Sequence, residues 1–400
     1  MHHYARHSQP QGLEDEDVPT ISPRWVELAL TADAEPASTA AKRPWGMWFW
    51  LVVFALAIGV GWKFDDETRQ ISSEALAQQA QIDQWLNRRL VRTVAFSRDG
   101  AQLAGATMDG AIYLWDVVSK KLRFTLIAHS TSVLTLAFAP DGRTLASGGG
   151  DWPHENGEFL LWDTRTGQLQ QRLLDASAPV TCAAFSPDGC TLTACCGYGP
   201  IWRWETSHWS LLPSVTQQMQ VTSFALAPDG RNLAVATLDH RVQLHDANNG
   251  TKHASITNQS YGVPALAFAP DGRSLAVGSI EGNLRIWDCV SLRKRGNMPA
   301  ECRYEPIRTL SFSPDGRWLA AGGGWWHKPG FVRIWDVAGQ EEHAMFHDAS
   351  NAVYSAAFSP DSKTLATGSD DRIVRLWDIA TGTQRTELRA DEGSREIPQP

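Results

Sequence analysis

Among side chains that commonly carry chemistry, this 400-residue chain has twelve histidines and six cysteines. A nucleophile needs a base beside it, and a metal needs ligands at short, paired spacing. The cysteines stand at 182, 190, 195, 196, 289 and 302, without the paired x-x spacing of a metal site. Gly-x-Ser-x-Gly, His-Glu-x-x-His and the phosphate-binding Gly-Lys-Ser/Thr loop are all absent. The pattern therefore predicts no enzyme, no metal and no cofactor. Two segments do concentrate functional side chains, GGGDWPHENGEF at 148–159 and GGGWWHKPGF at 322–331. They bring Trp152, His154, Trp325, Trp326 and His327 into loops, where an exposed indole anchors a partner because it buries a large area with few rotors. These five are the candidate partner-binding residues; the other reading is that the indoles fold back and cap their own element.

The elements that must position them follow from a repeat. One motif recurs as AFSRDG (95–100), AFAPDG (137–142), AFSPDG (184–189), ALAPDG (225–230), AFAPDG (267–272), SFSPDG (311–316) and AFSPDS (357–362). A second follows each copy, at Leu114, Leu161, Arg203, Leu244, Ile286, Ile334 and Leu376, as LWD, LWD, RWE, LHD, IWD, IWD and LWD, with copies 41 to 48 residues apart. Val133-Leu134-Thr135-Leu136-Ala137-Phe138 alternates as a strand does, and Pro-Asp-Gly after it supplies the fixed φ and the positive φ of a tight turn. A second strand (TLASGG, SLAVGS, TLATGS), a third ending in Trp-Asp, and a fourth such as Gln168 to Leu174 complete a four-stranded antiparallel meander. One such sheet cannot bury both faces, whereas seven stacked radially can.

On these residues the chain resembles the WD-repeat family over about residues 90–390. The resemblance implies an all-β, seven-bladed β-propeller of four-stranded antiparallel blades. It also implies a stabilising hydrogen-bond network of a His before the first strand, a Ser or Thr on the second, an Asp in the next turn and the Trp on the third. The matching residues are His347, Ser369, Asp371 and Trp377 in the last blade, with partial sets at Thr107, Asp109 and Trp115, at Thr237 and Asp239, and at Ser279, Glu281 and Trp287. His245 replaces the Trp of the fourth blade and Tyr198 the Asp of the third, so those blades should be held less firmly. Family propellers commonly close with an exchanged N-terminal strand; here Thr383 to Arg389 can complete the last blade, and closure without exchange is expected. Within a blade the second-to-third turn and the connection to the next blade share one face, so both long loops share it, roughly 150° apart around a seven-fold ring. Cys182 and Cys195-Cys196 fall on neighbouring strands of the third blade, where a disulfide and small buried thiols are both open readings.

Ahead of the repeats, residues 44–62 (PWGMWFWLVVFALAIGVGW) carry no charge. As a helix they would cover roughly 28 Å, the thickness of a bilayer core. Trp45, Trp48, Trp50 and Trp62 mark the two ends, and Lys42, Arg43 and Lys63 bracket the run. A single transmembrane helix, and hence a lipid bilayer as partner, is expected there. Residues 1–43, with the acidic Glu14-Asp15-Glu16-Asp17, are predicted to be a disordered tail, 63–89 a helical stalk and 391–400 a disordered tail. Ala55 with Gly59, and Ala57 with Gly61, have the spacing of close-packed helix pairs, which suggests a weak homodimer through the span.

The charges, 36 Lys+Arg against 44 Asp+Glu, offer no basic stripe for nucleic acid. The polar tail places the N-terminus in the cytoplasm and the propeller outside, in a periplasmic or extracellular space; six apparently unpaired cysteines argue the opposite way. What the resemblance implies is a membrane-tethered, non-enzymatic scaffold that recruits a protein or peptide. The alternative is a ligand-sensing or carbohydrate-binding ectodomain signalling through the span.

Overall fold

The computed structural model describes residues 90–389 except 152–155, 177, 198, 217–219, 257–261, 298–304, 326–327, 349–351 and 370. The chain divides into two compact units, residues 1–84 and 85–400, and all described residues lie in the second. The predicted N-terminal tail, membrane span, stalk and C-terminal tail lie outside the described residues. Among those described, no helix is long and apolar enough to cross a membrane.

Twenty-eight strands form seven four-stranded antiparallel sheets. The first blade has β1 (Val91–Phe96), β2 (Gln102–Thr107), β3 (Ala111–Asp116) and β4 (Leu122–Ile127). The second has β5 (Val133–Phe138), β6 (Thr144–Asp151), β7 (Asn156–Asp163) and β8 (Leu169–Ala176). The third has β9 (Val180–Phe185), β10 (Thr191–Cys196), β11 (Ile201–Glu205) and β12 (Ser210–Thr216). The fourth has β13 (Val221–Leu226), β14 (Asn232–Thr237), β15 (Val242–Asp246) and β16 (Lys252–Ile256). The fifth has β17 (Ala265–Phe268), β18 (Ser274–Gly278), β19 (Leu284–Asp288) and β20 (Lys294–Asn297). The sixth has β21 (Ile307–Phe312), β22 (Trp318–Gly323), β23 (Gly330–Asp336) and β24 (Glu341–Asp348). The seventh has β25 (Val353–Phe358), β26 (Thr364–Ser369), β27 (Ile373–Asp378) and β28 (Thr383–Arg389). Every sheet keeps sequence order, and β28 pairs with β27, so the seventh blade closes with its own last strand and no exchanged one, as the sequence predicts.

The turn after each first strand is built by side chains. Ser97 donates to the Asp99 carboxylate at 2.6 Å and accepts from the Gln102 N–H at 2.9 Å, while Gly100 takes a φ of 73°. Ser186, Ser313 and Ser359 repeat the arrangement with Asp188, Asp315 and Asp361. In the seventh blade Ser362 stands where the others have glycine, at a φ of 60°, a left-handed backbone that is strained for a residue with a Cβ.

The core lies in the seams between blades. Trp115 packs with Val91, Val94 and Leu103 of its own blade and with Ala366, Val374 and Leu376 of the seventh, which is the seam that closes the ring. Gly105 makes this approach possible: a Cβ there would sit 2.9 Å from the Trp115 ring and 3.1 Å from Val374. The innermost strands are also tied by hydroxyls. Thr135 accepts from the Ala183 N–H at 3.1 Å, Thr309 from Ala356 at 3.1 Å and Ser355 from Val94 at 3.0 Å. Each bond satisfies a donor on the open edge of one blade from the blade before it.

Candidate functional site

The two long turns rise from pinned bases. In the second blade the Gly150 N–H donates to the Ser132 carbonyl at 2.9 Å, and the Ser132 hydroxyl lies 2.7 Å from the Asp151 carboxylate. In the sixth the Gly324 N–H donates to the Pro306 carbonyl at 3.1 Å, and Arg308 Nε donates to the Gly324 carbonyl at 3.1 Å. Gly324 has a φ of 121°, open to glycine and hardly to any other residue. Trp325, next in the chain, is 43% exposed. Trp152, His154, Trp326 and His327 lie outside the described residues.

The sequence reasoning missed what adjoins Trp325. Arg308 stacks over the Tyr354 ring at 5.1 Å, and Arg92 stacks over the same ring at 4.1 Å. Arg92, Arg308 and Tyr354 each occupy the irregular second position of an inner strand, in β1, β21 and β25, where the pairing register shifts. Such a bulge re-aims a side chain. A continuous run therefore connects Trp325, through the Gly324 carbonyl, to a tyrosine held between two guanidinium groups. Its chemistry is aromatic and cationic. The signal in the sequence was only that the second residue varies among six of the inner strands, β1, β5, β9, β13, β21 and β25: Arg92, Leu134, Thr181, Thr222, Arg308, Tyr354.

The family network is present, in part on the residues expected: Ser369, Thr107 and Thr237 bond to Asp371, Asp109 and Asp239, whereas the indole acceptor of the last blade differs and the His347 side chain lies outside the described residues. In the second blade Trp162 Nε1 donates to the Ser147 hydroxyl at 2.8 Å, and His129 Nε2 lies 2.6 Å from the same oxygen. His129 Nδ1 lies 3.1 Å from Glu158, which also accepts from the Ser130 N–H at 2.9 Å and from Arg172 at 3.1 Å. The hydrogen bond from His129, followed by those from Ser130 and Arg172, outweighs burial and holds the Glu158 carboxyl down at about 2. An ionised carboxylate only accepts, so in the neutral ring Nδ1 carries the proton and Ser147 donates to Nε2. In the seventh blade Trp377 donates to Thr367, at 2.9 Å, and not to Ser369.

The register gives the reason. Trp377 pairs with Leu365, which makes Thr367 its diagonal neighbour, and Trp162 stands in the same relation to Ser147. Ser369, Thr107 and Thr237 instead close the following turn on Asp371, Asp109 and Asp239. Arg375 joins Ser369 and Asp371 in the buried part of that turn. Ser279 receives the Asn283 N–H at 3.0 Å in place of the expected pairing with Glu281. The diagonal position holds Val277 in the fifth blade and Ala321 in the sixth, and there the Trp287 and Trp335 indole N–H groups are buried without a partner. In the fourth blade His245 Nδ1 donates to the Gly250 carbonyl at 3.1 Å, and burial lowers its pKa.

Ser147, His129 and Glu158 have the order of a hydrolytic triad. Ser147 is fully buried and its oxygen already receives the Trp162 N–H, so no substrate carbonyl can approach it. The group acts as a clamp beneath the β6–β7 turn. Among the described residues no cluster of three or more His, Cys, Asp or Glu could hold a metal.

The WD domain, G-beta repeat profile matches residues 86–116, 120–163, 167–199, 250–288, 300–336 and 340–378, more than half of the chain. The chain belongs to the WD-repeat family. The unmatched stretch 200–249 holds β11 to β15, with His245 in place of the fourth blade's tryptophan. Among curated proteins the chain is 35% identical over 107 residues to a U3 small nucleolar RNA-associated protein 15 homolog of Xenopus tropicalis, covering 24% of this chain and 20% of that protein. It is 32% identical over 168 residues to the Protein LST8 homolog of Drosophila melanogaster, covering 40% and 52%. It is 27% identical over 111 residues to the SAGA complex/transcription factor TFIID complex subunit Taf5 of Schizosaccharomyces pombe, covering 23% and 17%. The matched stretch is thus about half of each relative's length or less, and what the likeness shows is a WD-repeat propeller.

Proposed function

We propose that this chain is a membrane-tethered, non-enzymatic scaffold whose propeller recruits a protein or peptide at the face bearing the β6–β7 and β22–β23 turns. The observation that supports it most is the exposed Trp325 on a turn pinned to the Arg308–Tyr354–Arg92 stack. An indole beside cationic edges, on a rigid base, has the composition of an interface anchor. Trp152, His154, Trp326 and His327 extend the same binding set. The tether rests on residues 44–62, whose uncharged run and terminal tryptophans suit a bilayer, with the N-terminus cytoplasmic and the propeller outside.

The test is affinity capture from detergent-solubilised membranes with the full chain and with Trp325→Ala/Trp326→Ala. Loss of the captured partners with an unchanged unfolding midpoint is the expected result; unchanged recovery from a folded variant removes the assignment. Protease treatment of intact vesicles reads the orientation, and a propeller cleaved only after the vesicles are opened reverses it.

A further inference from the structure

Cys182 and Cys195 are direct partners across β9 and β10. Facing residues of an antiparallel pair have Cα atoms about 4.5 or 5.5 Å apart, and both spacings lie within the roughly 4.4–6.8 Å that a disulfide bridges. Both thiols are free, Cys182 half-buried and Cys195 fully buried. They share the face that packs on Val221, Phe224 and Leu233 of the fourth blade, beside Ile201 of their own.

The place Cys182 occupies is the third of its inner strand, where Thr135, Thr309 and Ser355 accept an edge N–H from the next blade. At this seam a sulfur takes that place, near the Phe224 N–H and the Ser223 hydroxyl, while the Thr181 hydroxyl lies 3.8 Å from the Cys195 sulfur. A thiol is a weak acceptor and a thiolate a good one. The Cys195 thiol, ahead of these three groups, holds Cys182 below the usual thiol range, and the same contact with Cys182, with burial, pushes Cys195 up. Cys196 stands apart: it packs toward the second blade, donates to the Ala178 carbonyl at 3.0 Å, and burial pushes it up to about 12.

We propose that Cys182 and Cys195 form a reversible dithiol–disulfide couple at the seam between the third and fourth blades, oxidised by exchange with a low-molecular-weight disulfide. The Cys182 thiolate attacks one sulfur of the small disulfide, whose S–S bond breaks, and the first small thiolate leaves and takes up a proton. Cys195 then loses its proton to solvent, attacks the Cys182 sulfur and expels the second small thiolate, which is protonated in turn. Two protein thiols become one disulfide and one small disulfide becomes two thiols. Oxidation removes the negative acceptor from the Phe224 N–H, so the bridged form is looser along β13 than the reduced form.

The full chain is incubated with bis(2-hydroxyethyl) disulfide, then digested without reduction and mapped by mass spectrometry. The expected result is loss of two thiols and a peptide joining Cys182 to Cys195, unaffected by Cys196→Ser, with Cys195→Ser trapping a mixed disulfide on Cys182. Alkylation of Cys182 in the unmodified protein should reach half its plateau rate at a pH below the ~8.5 of an ordinary thiol. Deuterium uptake by the β13 peptide should rise in the bridged form and return on reduction. A bridge to Cys196, no bridge at all, or an alkylation midpoint at or above ~8.5 overturns the proposal. The alkylation profile needs no variant, so misfolding of Cys195→Ser leaves the test intact.

Discussion

Ser147→Ala removes one oxygen and leaves two buried groups without a partner. Trp162 Nε1 loses an acceptor at 2.8 Å, and His129 Nε2 loses a donor at 2.6 Å. Each orphaned group costs about 1–3 kcal/mol, which puts the change at about 2–5 kcal/mol once partial relaxation is allowed. Thr367→Val removes the acceptor of the Trp377 indole N–H at 2.9 Å, so about 1–3 kcal/mol is expected. That Trp287 and Trp335 are buried without a partner shows that one lone indole N–H is tolerated; the larger share of the Ser147 effect therefore comes from the imidazole. The measurement is urea unfolding followed by tryptophan fluorescence, with hydrogen exchange of the β6 and β7 peptides to place the loss in the second blade. A change below ~0.5 kcal/mol for Ser147→Ala would refute the view that His129, Ser147 and Trp162 act as one clamp.

Acid should weaken the same clamp. Glu158 has its carboxyl at about 2 in the folded chain, below its ordinary value of 4.5, so the unfolded chain takes up the proton first on acidification. Its contribution is complete above pH ~4.5 and is lost as pH falls toward ~2, and Glu158→Gln should flatten that part of a stability profile read by urea midpoints. Gly105→Ala would put a Cβ 2.9 Å from the Trp115 ring in the closing seam, and a loss of about 1–3 kcal/mol in the same unfolding assay is expected.

The strands and their order were legible because each signal is local. An alternating run, a Pro-Asp-Gly-like turn and an end resembling Trp-Asp recur seven times, the turn as Pro-Asp-Gly and the end as Trp-Asp in five copies each, and a meander needs no information from distant residues to choose its neighbour. The site was legible only in part. Trp325 was found because a long loop is visible as an insertion, whereas Arg308 and Tyr354 lie in otherwise ordinary strands 46 residues apart and Arg92 lies in the first blade, at the other end of the propeller sequence. The network hydroxyl was misplaced by two residues, since Ser369 and Thr367 are both plausible by type. Which of them meets an indole depends on the diagonal offset of the pairing, and Ser147 with Glu158 was missed for the same cause.

The amino-acid sequence by itself determined that this chain makes seven four-stranded blades, that they follow sequence order, and that the last completes itself with Thr383–Arg389. Periodicity and turn chemistry suffice for that, because both act within a few residues. Only the tertiary structure decided which side chains meet across seams: Tyr354 between Arg92 and Arg308, Cys182 against Cys195 and the Phe224 N–H, Gly105 under Trp115. Those meetings depend on register and on the closing of the ring, which set distances between residues that no local spacing encodes.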